Sequence, residues 1–167
     1  MKCKLFVGID PGAKGAIAIL NKDGEVVDLY DMPTTNEKYL EHILFWTNKK
    51  KGYDVQLVIE RVHALPFESA VAGFTFGKNC GKADLLALSM TTGVNPHDVS
   101  PQVWKAYFGL KRLNGETKYE YKKRSINKAT ILFYDQKDKL TMSKDGRAEA
   151  LLLAKYCLDK YSTCQSA

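Results

Sequence analysis

Two apolar runs that each end on a carboxylate constrain this chain more than any other feature. Phe6-Val7-Gly8-Ile9 leads into Asp10, with Pro11-Gly12 behind it, and Val55-Gln56-Leu57-Val58-Ile59 leads into Glu60. Both runs suit buried strands. Between them, residues 36–49 carry Tyr39, Leu40, Ile43, Leu44 and Trp46 at helical spacing. A strand that follows such a helix is expected to lie parallel to an earlier strand, by a right-handed crossover. If strands 4–10 and 55–60 pair in parallel, Asp10 and Glu60 become neighbours at one rim. Like charges on adjacent strands are unfavourable without a counter-ion.

The other segments extend this frame. Residues 15–20 and 25–30 are further strands, joined by Asn21-Lys22-Asp23-Gly24, a hairpin signal because Asp-Gly tolerates positive φ. The first three strands therefore form an antiparallel meander. Residues 61–77, with Pro66, Gly73 and Gly77, are expected to be a loop. Residues 79–92 form a helix, and Asp98-Val99-Ser100 a short last strand. Pro101 fits a helix start with Ser100 as its cap. Residues 111–121 are a polar loop or a helix lead-in, and 122–134 and 146–160 are the final helices. The class is α/β: a single domain over residues 1–167, with a mixed five-stranded sheet flanked by helices.

The chain has 25 Lys and Arg against 19 Asp and Glu, a net charge of +6, which favours a polyanionic partner. No apolar run is long enough to span a bilayer, so no membrane partner is expected. The N-terminal apolar run meets Asp10 too soon for a signal peptide, and the expected location is cytoplasmic. Cys3, Cys80, Cys157 and Cys164 share no metal-ligand spacing.

A second pair of acids, Asp145 and Glu149, opens the last helical segment four residues apart, hence on one helix face. Capping of the helix start is the plain reading of Asp145, and both roles can hold together. Four carboxylates gathered at one rim suit hard divalent cations. Mg²⁺ takes one or two carboxylates plus phosphates, and two ions form a clamp for in-line phosphoryl displacement. Lys105, beside Trp104, is a candidate for stabilising charge at a scissile phosphate. Lys14 follows the Asp10 turn and can approach a phosphate. Lys118, Lys122, Lys123 and Arg124 form a basic run with interleaved Tyr119 and Tyr121, either a solvated helix face or a phosphate-contacting surface. Phe67, Phe74 and Phe76 are core residues or stack on bases. Gly77-Lys78-Asn79 is expected to begin a helix that faces a phosphate.

With these residues in view, the chain resembles the RuvC-type Holliday-junction resolvases of the ribonuclease H-like superfamily, in their phage and organellar branch. The resemblance covers nearly the whole chain. It is carried by Gly8-Ile9-Asp10-Pro11-Gly12, by Ile59-Glu60-Arg61-Val62-His63-Ala64 with Pro66, and by Phe74-Thr75-Phe76-Gly77-Lys78-Asn79 with Gly81. Ser100-Pro101-Gln102-Val103-Trp104-Lys105, Lys123-Arg124-Ser125 and Lys144-Asp145-Gly146-Arg147-Ala148-Glu149-Ala150-Leu151-Leu152-Leu153-Ala154 complete it. It implies a ribonuclease H-like fold and a homodimer that binds a four-way DNA junction. Each subunit would cut one strand with two Mg²⁺ or Mn²⁺ ions per active site. Asp10 and Glu60 match the family's first two metal carboxylates, and Asp145 and Glu149 its last two. The spacing of four departs from the spacing of three in bacterial members, which leaves Asp145 less firmly placed than Glu149. The segment from Phe67 to Phe76 corresponds to the junction-facing region. Lys105 and one of Lys118, Lys122 or Lys123 match the family's supporting lysines. The alternatives are a nuclease acting on RNA–DNA hybrids, a catalytically silent DNA-binding module, and an actin-like or sugar-kinase-like ATPase.

Overall fold

A computed structural model describes residues 2–61, 69–91 and 95–162. Its first strand, β1 (Cys3–Asp10), is the apolar run that ends on Asp10. The meander continues with β2 (Ala16–Asn21) and β3 (Val26–Asp31). Gly24 turns the β2–β3 hairpin at φ +84°, while the Asn21 side chain accepts the amides of Asp23 and Glu25. Helix α1 (Asn36–Lys49) is capped by Thr35, and β4 (Tyr53–Glu60) follows it. Then come α2 (Ala70–Met90), β5 (His97–Val99), α3 (Pro101–Tyr107), α4 (Lys118–Leu132) and α5 (Asp145–Tyr161).

The sheet order is β3-β2-β1-β4-β5. β1 pairs antiparallel with β2 and parallel with β4, and β4 is parallel to β5. The register sets Ile9 opposite Ile59, so the next residues, Asp10 and Glu60, end neighbouring strands at one rim. Period-two alternation divides the buried residues between two layers. Leu5, Val7, Ile9, Leu57 and Ile59 face α1 and α2, against Tyr39, Trp46, Leu86 and Met90. Phe6, Ala16, Ala18, Leu20 and Val58 face the other layer, with Trp104 of α3, Ile126 and Ala129 of α4, and the α5 run Ala148 to Ala154. Among the described residues no helix is long and apolar enough to cross a membrane. Cys3, Cys80 and Cys157 are free thiols, and Cys164 lies outside the described residues.

Three expectations need correction. The segment 61–77 is not a loop throughout, because α2 starts at Ala70, where Ser69 accepts the Ala72 amide at 3.2 Å. Gly73 and Gly77 have the look of loop punctuation but lie inside this helix, with open space where a Cβ would stand. Pro66 lies outside the described residues. Ser100 occupies the cap position of α3 without a capping hydrogen bond, so the fixed φ of Pro101 starts that helix alone. Finally, α4 begins at Lys118 rather than 122, because Thr117 and Glu120 form a reciprocal capping box. Helices α3, α4 and α5 follow β5, as expected.

Helix α5 rests directly on the centre of the sheet. A Cβ at Gly8 would lie 2.2 Å from the Ala154 amide nitrogen and 2.4 Å from the Ala150 carbonyl oxygen. At Gly146 a Cβ would lie 2.2 Å from the Lys14 carbonyl oxygen, so the helix start also seats on the β1–β2 turn. Gly8→Ala is expected to destabilise the fold by more than roughly 3 kcal/mol in urea unfolding, since backbone must move to admit it. Gly77→Ala in the exposed interior of α2 should instead stabilise by about 0.5–1 kcal/mol. Equal effects of the two would contradict this packing.

Candidate active site

The rim where β1 and β4 end collects acids from three elements. Asp10 closes β1 and accepts the Gly12 amide at 3.1 Å, which fixes its carboxylate across the Pro-Gly turn. Gly15 returns the chain so tightly that a Cβ there would lie 2.0 Å from the Asp10 carbonyl oxygen. Glu60 closes β4, only 6% exposed, and its Oε1 accepts a hydrogen bond from Trp104 Nε1 at 2.8 Å. Glu149, in the second turn of α5, accepts from Lys105 Nζ at 3.0 Å. Lys105 lies between two rings, 5.0 Å from the Trp104 centroid and 4.9 Å from that of Tyr121. Asp145, the first residue of α5, is ion-paired with Lys122 of α4.

Charge is strained at this rim. Burial, then the negative charges of Glu149 and Glu60, push the Asp10 carboxyl up to about 8, against the Gly12 amide and Lys105. Burial and Glu149 raise Glu60 as well, opposed by the Trp104 hydrogen bond and by Lys105. Burial disfavours the charge on Lys105, but Glu149 and Glu60 outweigh it and hold the amine above its ordinary value. Asp10, Glu60 and Glu149 thus share one buried ammonium, and full ionisation would leave two negative charges uncompensated.

That deficit suits a divalent cation. Among the described residues, no three His, Cys, Asp or Glu side chains gather closely enough to cage an ion by themselves. Mg²⁺ does not require such a cage, because it keeps waters and takes one or two carboxylates together with substrate phosphates. Asp10 with Glu60, and Asp10 with Glu149, are donor sets of that kind.

The remaining expected site residues divide sharply. Lys14 is exposed on the turn after Asp10. Phe76 and Asn79 line a cavity of about 440 Å³ with Pro11, Gly12 and Thr75, beside the Asp10 turn. Phe74 is 75% exposed on α2, and Lys78 is exposed on the same helix. Phe67 lies outside the described residues. Gly77-Lys78-Asn79 does not begin a helix. It lies mid-way along α2, where its amides belong to the helix ladder and cannot receive a phosphate. Lys118 and Lys123 are exposed on α4. Lys122 instead turns to Asp145. Arg124 is bound to the Glu116 carboxylate at 2.9 Å and the Gly109 carbonyl at 3.0 Å, so it pins the loop before α4.

Three contributors were not anticipated. Trp104 and Tyr121 hold Glu60 and Lys105, and the sequence signal was only their nearness to the basic residues. Asp31 is the third strand-ending carboxylate. It accepts from Arg147 at 2.6 Å and pairs with Lys144, and Arg147 first, then Lys144, hold its carboxyl below the ordinary range. This ties the start of α5 to β3.

Neither a scan of protein-family models nor a search of curated proteins finds a match to this chain.

The raised Asp10 pKa has a definite sign in stability. The folded state holds this proton more tightly than the unfolded state, so Asp10's contribution is full below about pH 4 and is lost as pH rises towards 8. Asp10→Asn is therefore expected to stabilise the protein in EDTA at pH 8, by on the order of 2 kcal/mol or roughly 5 °C in Tm. The gain should vanish near pH 4. Thermal unfolding across that range checks it, and a variant less stable than wild type at pH 8 would refute the repulsion.

Proposed function

We propose that this chain is a structure-selective endonuclease that cuts four-way and other branched DNA junctions by divalent-metal-dependent phosphodiester hydrolysis. It would act as a homodimer with one nick per subunit. The observation that carries this reading is the meeting of Asp10, Glu60 and Glu149 around the buried Lys105. The sheet order, an antiparallel meander followed by two parallel strands, is consistent with a ribonuclease H-like domain.

Asp10 and Glu149 would hold one Mg²⁺ or Mn²⁺ ion, and Asp10 and Glu60 a second. Bound ions at such a site supply an activated water and stabilise the leaving oxygen. Asp145, next to the first pair along α5, would complete that site or orient a water. Lys105 stays protonated between its two rings and would stabilise charge that develops on the scissile phosphate. The Gly12 amide holds Asp10 in one orientation, so little reorganisation is required of it. Lys14, Lys118 and Lys123 give the polyanion an exposed basic approach to an acidic centre. Phe76 and Asn79 line the adjoining groove, where an unpaired base could stack. A dimer matches the near-two-fold symmetry of a junction, because closed symmetry presents two identical sites to equivalent strands.

The test is cleavage of a synthetic four-way junction beside linear duplex and RNA–DNA hybrid, with Mg²⁺, Mn²⁺ or EDTA. Paired symmetric nicks in the junction, lost in EDTA, are expected. Asp10→Asn and Lys105→Ala should each slow cutting by at least ~100-fold while junction binding persists. Cutting of the hybrid alone would move the substrate to RNA–DNA duplexes. Wild-type cutting by Asp10→Asn would remove that carboxylate from the chemistry.

A further inference from the structure

The acids at the rim are held by two kinds of partner. Lys105 holds Glu149 and Lys122 holds Asp145, both cations. Glu60 accepts from an indole, which is a neutral donor. An indole N–H can only donate, so the direction of this bond is unambiguous. A neutral donor orients a carboxylate without cancelling its charge, whereas an ammonium competes directly with any metal ion. Among the described residues the indole engages one oxygen of Glu60, Oε1.

Trp104 is suited to this task in three further ways. It has no exposed surface. Its ring packs edge-on to Phe108, with centroids 6.5 Å apart at 69°. It sits in the short helix that Pro101 starts, one residue before Lys105, and its ring also lies against the Lys105 ammonium. One rigid side chain therefore touches both Glu60 and the lysine that holds Glu149.

We propose that Trp104 is a positioning residue, whose indole N–H aims Glu60 at a divalent cation shared with Asp10. This deepens the nuclease reading and rests on it for the identity of the cation. It assigns Trp104 a role that a purely apolar core residue could not fill, since phenylalanine would retain most of the packing and none of the hydrogen bond.

Mn²⁺ titration of the full-length chain by calorimetry, without DNA, tests the assignment. Trp104→Phe should stay folded by circular dichroism and bind Mn²⁺ roughly 10- to 100-fold more weakly, the usual cost of losing a group that orients a metal ligand. Adding Trp104→Phe to Glu60→Gln should weaken binding no further, because Trp104 acts through Glu60. In ¹⁵N spectra, Mg²⁺ should shift the Trp104 indole signal and leave that of Trp46, which donates to Tyr30 on the opposite layer. Wild-type affinity in Trp104→Phe, or equal losses with and without Glu60, would overturn the proposal while junction cutting by wild type kept the nuclease reading. The reverse pattern, weakened Mn²⁺ binding in a protein that cuts no junction, would retain Trp104's role and discard the nuclease. A wild-type chain that binds no Mn²⁺ would overturn the Trp104 assignment, and would overturn the nuclease reading as well if it also cut no junction.

Discussion

The contact of α5 with β1 through Gly8 is the constraint on which the rest of this structure depends. A helix normally stands off a sheet by the length of the side chains between them, and here that spacer is missing at one point. Gly146 repeats the device at the helix start, and Asp31 clamps the same end through Arg147 and Lys144. With three fixings the helix has little freedom to slide or rotate. Glu149 is thus carried to the rim where Asp10 and Glu60 end their strands. The acidic cluster is a consequence of backbone packing, and its electrostatic cost is borne by the well-packed core beneath it.

That cost explains the polar partners around the cluster. Burial penalises the charge on Asp10 and on Glu60, and the nearby Glu149 adds to the penalty at both. Lys105 and Lys122 relieve part of it at Glu149 and Asp145, and the Gly12 amide and Trp104 indole orient Asp10 and Glu60 without adding charge. In the proposed reading, a divalent ion would compete with protons and lysines for the same oxygens, and would have to displace a proton or an ammonium as it arrived.

Much of this was legible in the sequence, for physical reasons that differ by element. The strands ending on Asp10 and Glu60 stood out because apolar runs are long and the carboxylate interrupts them. The parallel pairing followed from the helix between them. The start of α2 was obscured because Gly73 and Gly77 resemble loop residues, and only the tertiary structure shows that nothing crowds them. The start of α4 was readable in principle from Thr117 and Glu120, whose spacing is that of a capping box. The partner of Arg124 was hidden for another reason. A basic run shows charge but not partners, and its partner Glu116 lies eight residues back in a loop whose path is set by tertiary contacts.

The role of Trp104 illustrates where sequence reasoning runs out. Beside a lysine, a tryptophan at the end of a helical turn reads as core, and by burial it is core. Its polar edge matters only because β4 ends at Glu60, on the same layer, within reach of that edge. Nothing local to residues 101–107 contains that fact. It arises from the register that sets Ile9 against Ile59 and from the depth at which α5 seats α3 against the sheet. A buried carboxylate at a strand end always requires some donor. Here Glu60 finds a neutral indole, whereas Asp145 at the start of α5 is paired with the Lys122 cation.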